Sequence, residues 1–470
     1  MGTTLTDAFA TSPALAEAMS ERALIAGVFA FEAALAQAQA LEDVIPKDAA
    51  AMIAETSSQM DISPEDVARD AALGDALAIP LVKRLIAEVR HRDPVAAGYV
   101  HFGATSQDAM DTSLVLQLDW AVAEIDATIA RLANACASLA EENRSTIMLG
   151  RTLMQPATPI AFGQKAAQWL LAACEDRARI RQAARGALRI QFGGASGNLG
   201  SLGDKGAAVS MRLAALLPLR FGVFAAAEAV TPWHTRRGNL LSLCSACAIA
   251  AGNAAKIARD VSLMSQWEVG EASEPAGAGR GGSSAMPHKR NPVRCMAAIA
   301  AGARAPGLLA TLMTCAVQEH ERALGGWQAE WPVLPDLIKL SGGALANMAD
   351  VVEGLMLDPA RMRANLDSLR GLTLAEIAAL ALAPHIGRDA AHAMVSDASR
   401  RAIDGNTTLA DEIGRDSVAR SHLSDSQIAA ACDPQRALGA TSTFIDNALA
   451  LWRGQNTAFE DPTFNMEKQI

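Results

Sequence analysis

The chain has 470 residues and a formal net charge of −10; half its residues are hydrophobic and only 4% aromatic. Ala and Leu supply most of the apolar content, which favours helices and argues against an all-β fold. The acidic balance excludes a nucleic-acid binder and a polybasic membrane-surface protein, so any anionic partner must be a small one met by basic residues gathered locally.

Residues 1–110 read as several helices of modest length. Ser63-Pro64-Glu65-Asp66 supplies an N-cap, a first-turn Pro and first-turn acids. Pro80 starts the next helix, and the region from Arg90 to Pro94 ends it. No secretory leader is expected, because Asp7 and Glu17 precede the first basic residue, Arg22.

Residues 111–357 differ. Asp111 to Asn143 holds a helical pattern without Pro or Gly, which at 1.5 Å per residue spans about 50 Å. Pro159 to Arg185, Pro232 to Gln266, Pro292 to Arg322 and Leu334 to Leu357 read as further long helices, and strand patterns are almost absent. Gly238 to Ala255 is uncharged and nears the length of a membrane span. Its Asn239, Ser242, Ser245, Gly252 and Asn253 favour a helix buried in a bundle over one in a membrane. Cys244 and Cys247, spaced CxxC within it, read as buried structural thiols. The seven cysteines are odd in number and scattered, which fits a reducing cytoplasm.

Beyond Asp358-Pro359 the helices shorten, to about 360–368, 372–383, 388–404 and 434–452, and a polar tail from Gly454 to Ile470 is expected to be loose. The expected class is all-α with three helical domains: 1–110, a central long-helix bundle at 111–357, and a small C-terminal domain at 358–470.

Four stretches have the makings of a site. His101 to Asp108 puts Gly103, Thr105, Ser106 and Gln107 at a helix start, suited either to binding an anion or to capping. Arg151 to Pro159 offers Arg151 and Gln155 to a ligand or to loop carbonyls, with Thr158-Pro159 as a helix start. Gln191 to Gly203 is glycine-rich but lacks the GK[ST] of a phosphate loop, so it reads as a tight turn bringing backbone amides near another group. Gly270 to Gly282 leads into Ser283, Ser284, Met286, Pro287, Lys289, Arg290, Asn291 and Pro292. Hydroxyls beside concentrated positive charge suit an activated seryl oxygen and a bound carboxylate. The glycines suggest that Gly270 to Met286 closes over a ligand.

That last stretch resembles the G-S-S-x-M-P-x-K-x-N signature of the fumarase/aspartase superfamily, and the first two resemble its other blocks. The resemblance extends over nearly the whole chain. Gln318 to Trp331 and Phe192 to Gly197 are similar to the branch of cycloisomerases acting on 3-substituted cis,cis-muconates. Leu153 stands where adenylosuccinate and argininosuccinate lyases usually carry His; Pro156 and Gln328 stand where the cycloisomerases often do. The substituent is therefore left open between carboxylate and sulfonate. A lyase of the same superfamily and a non-catalytic structural bundle are the rival readings.

The resemblance implies a cytoplasmic homotetramer around a core of long helices, each active site drawing on three subunits, with no metal or organic cofactor. Its substrate would be a small di- or tricarboxylate-like anion, with no nucleic acid or membrane partner. It assigns Ser283 and Lys289 to catalysis. It assigns His101, Thr105, Ser106, Arg151, Gln155, Ser284, Met286, Asn291 and Arg322 to substrate binding.

Overall fold

A computed structural model of the protein describes residues 9–72, 77–217, 230–275, 286 and 289–460. The long elements, in chain order, are α1 (Glu21–Leu41), α2 (Ser106–Glu142), the strands β1 (Ile147–Thr152) and β2 (Gln155–Ala161), and α3 (Phe162–Ala187). They continue with α4 (Gly238–Met264), the short strand β3 (Ala272–Ser273), α5 (Val293–Thr314), α6 (Gly326–Glu353) and the short strand β4 (Met356–Leu357). The fold class is all-α, as the composition requires.

Local signals place most of these helices. Ser63 Oγ accepts the Asp66 amide and starts the helix Pro64–Ala71. The helix Ala78–Arg92 ends at Asp93, just before Pro94. The central helix α2 starts five residues earlier than its Pro- and Gly-free run suggests, at Ser106. The helix α6 begins at Gly326 although Pro332 and Pro335 lie inside it. The sequence puts this start at Leu334 because an interior Pro removes an N–H. Burial of Trp327 and Glu330 holds the extra turns in place.

One expectation fails at the second block. Thr158 and Pro159 lie in β2 rather than at a helix start, and Pro159 pairs with Leu149. The hairpin is closed by Leu153 and Met154, both in the left-handed region at φ 50 and 65, as a two-residue loop requires. The register slips between Leu149 and Arg151. Gly150 sits there because a Cβ would collide with the Thr158 carbonyl oxygen.

The chain clusters into two compact units. The first holds residues 1–130, 175–256 and 296–348; the second holds 131–174, 257–295 and 349–470. In the first, α1, the first part of α2 and the segment 175–256 bury an apolar core that includes Phe31, Leu35, Leu118, Ile125 and Leu243. In the second, the C-terminal helices bury Leu382, Val395, Leu409 and Ile413 together. Three short helices there, Leu409–Arg415, Ser417–His422 and Asp425–Ala431, were not legible in the sequence. The last helix runs to Glu460, so the polar tail begins later than expected, and residues 461–470 lie outside the described residues.

Helices α1, α4 and α5 are long and apolar enough to cross a membrane by composition alone. More than half of the apolar window is buried within the chain for α1 and α4, but only a third for α5. Cys244 and Cys247 are both buried. Burial pushes the Cys247 thiol up to about 12, far from a reactive thiolate.

Candidate active site

The first block sits in the first unit, at the start of α2. The Thr105 carbonyl accepts the Asp108 amide at 2.9 Å, and the Thr105 amide donates back to Asp108 Oδ2 at 3.0 Å. This reciprocal cap leaves the Thr105 and Ser106 side chains half-buried at the positive end of a 37-residue helix. Asp108 is fully buried and does more than cap. It accepts the amides of Gly193 and Gly194, both at 2.9 Å, and His234 Nε2 lies 2.7 Å away. The glycine-rich turn therefore brings its amides to a carboxylate of the protein itself. Gly194 has φ 69, the left-handed region.

One turn further along α2, Asp111 anchors a second buried network. Arg237 donates through Nη1 to Asp111 Oδ2 at 2.8 Å and through Nη2 to Oδ1 at 3.0 Å. The same guanidinium reaches Glu330 Oε2 at 2.6 Å and stacks 4.8 Å from the centre of the Trp233 ring. Trp327 Nε1 donates to Asp111 at 3.2 Å, and Gln318 donates to Glu330 at 3.1 Å. Burial alone would depress the Arg237 guanidinium, but Asp111 and Glu330 outweigh it and hold it firmly charged. Burial holds the Glu330 carboxyl above the usual carboxylate range, and Arg237 offsets only part of that.

Gln107 joins the two networks to the 318–331 stretch. Its amide donates to Asp111 and to the His234 carbonyl, and its Oε1 accepts from Arg322 at 3.3 Å. Arg322 also donates to the Gly194 and Ala195 carbonyls. Of the sequence-predicted site residues, the structure thus brings His101, Thr105, Ser106 and Arg322 into one neighbourhood, with Arg322 bracing the first block.

The second block and the signature fall in the second unit. Arg151 makes a bidentate pair with Glu271, at 2.8 and 2.7 Å. Glu271 is completely buried and also accepts from Asn365 at 2.8 Å. Most of the Arg151 guanidinium is spent inside the chain, which fixes the hairpin. Gln155 stands exposed beside the hairpin tip, paired in register with Thr152. Ser283 and Ser284, and most of the Gly270 to Met286 stretch expected to close over a ligand, lie outside the described residues. Met286 and Lys289 are exposed and Asn291 half-buried, and the Lys289 amide donates to the Met286 carbonyl at 3.0 Å. At the base of this loop Glu274 accepts the Arg294 and Cys295 amides at 3.3 and 2.7 Å, capping α5. Arg294 is ion-paired with Asp350.

Sequence reasoning missed Glu32, Asp108, Asp111, His234, Arg237, Glu271 and Glu330. The signal available was a charged residue within an otherwise apolar helical stretch, as for Glu32, which demands a buried partner.

Comparison with known proteins gives this architecture its class. Residues 5–307 match a family model described as lyase, and residues 371–448 match adenylosuccinate lyase C-terminus. The chain belongs to this lyase family of the fumarase/aspartase superfamily. It is 45% identical to a 3-carboxy-cis,cis-muconate cycloisomerase of Bradyrhizobium diazoefficiens, over 93% of this chain and 96% of that one. A protein of the same description from Pseudomonas aeruginosa is 44% identical over 95% of this chain and 96% of its own. The crystal structure of 3-carboxy-cis,cis-muconate lactonizing enzyme from Pseudomonas putida superimposes with a TM-score of 0.89 at 39% identity, covering 96% of this chain and 99% of that one. Within the superfamily the chain is an enzyme of the 3-carboxy-cis,cis-muconate cycloisomerase type.

Proposed function

We propose that the protein converts 3-carboxy-cis,cis-muconate to its muconolactone by intramolecular addition of one carboxylate to a C=C bond. The observation that carries this reading is the likeness, over more than nine-tenths of the chain, to relatives that bear that activity in their names. As the new C–O bond forms, negative charge moves onto a second carboxylate, and a proton is then delivered to the adjacent carbon. Catalysis needs cationic and amide donors on that carboxylate and one placed proton donor.

In this reading Ser283 delivers the proton in the forward direction and removes it in reverse. Lys289 and Asn291 hold the activated carboxylate; Thr105, Ser106, Gln155, Ser284 and Met286 contact substrate. His101 supports binding, and Arg151 and Arg322 act through the elements they brace. The half-buried hydroxyls of Thr105 and Ser106 at the positive end of α2 support an anion site there. The functional form is a homotetramer in the cytoplasm, with three helical domains at 1–110, 111–357 and 358–470. Exposed Ile249, Met296 and Met313 on α4 and α5, and the exposed hairpin tip Leu153 and Met154, support assembly with further copies. Purified protein assayed by loss of diene absorbance should turn over 3-carboxymuconate. Turnover of 3-sulfomuconate alone would move the reading to the sulfonate, and turnover of adenylosuccinate alone would replace it.

A further inference from the structure

His101 immediately precedes the exposed Phe102 in the first block and adopts φ 59. Its Nδ1 lies 2.6 Å from Oε1 of Glu32 on α1. The Glu32 side chain is 1% exposed and that of His101 17%. Among the described residues no group bonds Glu32 Oε2, so His101 is the sole hydrogen-bonding partner of this carboxylate. A buried carboxylate with one partner is stable as an ion only if that partner carries the opposite charge. The short contact fits a charge-assisted bond, the imidazolium Nδ1–H donating to the carboxylate.

Two acidic groups act on His101, Glu32 from α1 and Asp108 from the first turn of α2. Asp108 is already occupied by three amides and His234. Gln39, also on α1, donates to the Phe102 carbonyl at 2.6 Å, which holds the turn carrying the imidazole against the helix. Burial alone would lower His101, but the charge and hydrogen bond of Glu32, with Asp108 behind them, keep it above the ordinary histidine value. His101 Nε2 makes no hydrogen bond among the described residues.

We propose that Glu32 is a positioning residue that holds His101 as an imidazolium, whose Nε2–H binds an anionic group of the substrate beside Thr105 and Ser106. The inference rests on the assignment of the first block to substrate binding. An imidazolium supplies a cationic donor that a neutral imidazole does not, so deprotonation weakens ground-state binding and raises KM more than it lowers kcat.

The test compares wild type, Glu32→Gln and Glu32→Asp in kcat and KM across pH, together with a carbon-13 titration of the His101 ring in the intact enzyme. Glu32→Gln should lower the His101 midpoint and the alkaline limb of kcat/KM together, by about one pH unit or more. The loss should fall on KM, and Glu32→Asp should restore most of both shifts. An unchanged His101 midpoint in Glu32→Gln overturns the positioning role. A midpoint that falls while the limb stays fixed overturns the substrate contact, and with it the first-block assignment at His101. If Glu32→Gln does not fold, the wild-type midpoint decides: above the ordinary histidine value it supports the proposal, at or below it the proposal fails.

Discussion

Replacing Arg237 with Met keeps the aliphatic volume and removes the charge from the Asp111–Arg237–Glu330 network. Both carboxylates are almost fully buried, with side chains 1% and 5% exposed, and Arg237 makes five hydrogen bonds to them. Removing one partner of such a pair leaves uncompensated buried charge and costs about 3–5 kcal/mol. At the lower end of the usual conversion for large domains this is a melting decrease of about 6–10 °C. The cost also depends on pH, and the sign follows from Glu330, whose carboxyl already sits above its ordinary value through burial. Without Arg237 it rises further, so its neutral form stabilises the fold at low pH and that contribution is lost as pH rises through the folded-state value. The deficit of Arg237→Met should be largest at pH 8 and shrink towards pH 5, and adding Glu330→Gln should recover part of it. Calorimetric scans at one fixed rate measure this. A variant melting within about 2 °C of wild type at pH 8, or a deficit independent of pH, would refute the reasoning.

Four further outcomes follow from the same structure. His101 lies above its unfolded value through Glu32, so their pairing stabilises the fold fully below about pH 6.5 and is lost as pH rises through the folded-state value; Glu32→Gln should cost more at pH 6 than at pH 9 in denaturant titrations. Ser283→Ala should lower kcat by about 100-fold or more with melting unchanged, and activity within about threefold of wild type would remove Ser283 from proton transfer. Leu153→Asn with Met154→Gly relieves two left-handed positions but removes the exposed side chains proposed to pack against another copy, so melting temperature and activity should both drop; a raised melting temperature with full activity would show that the tip takes no part in assembly. Sedimentation at micromolar concentration should give a tetramer, and an active monomer would contradict the assembly.

The N-terminal helices were legible because caps and Pro positions act locally: Ser63 starts the helix Pro64–Ala71 and Pro94 follows the end of Ala78–Arg92. The hairpin at 147–161 was not. Thr158-Pro159 has the local chemistry of a helix start, and only pairing with Ile147 to Leu149 decides otherwise. The site divides in the same way. Resemblance singled out residues that would face a ligand, but the residues fixing them are ordinary charges in sequence, and burial alone gives them meaning. Asp108 reads as a first-turn acid, Glu330 as part of a polar run and Glu271 as a loop residue. Each becomes a structural anion only because Gly193 and Gly194, Arg237 or Arg151 arrives from far along the chain.

The most direct test of intramolecular addition followed by proton delivery is conversion of 3-carboxy-cis,cis-muconate in deuterium oxide, followed by proton NMR of the product. Wild type should form, at the enzymatic rate, a muconolactone with one deuterium on the carbon adjacent to the activated carboxylate, and Ser283→Ala should lose this product. Substrate recovered unchanged, or a lactone formed no faster than without enzyme, would contradict it.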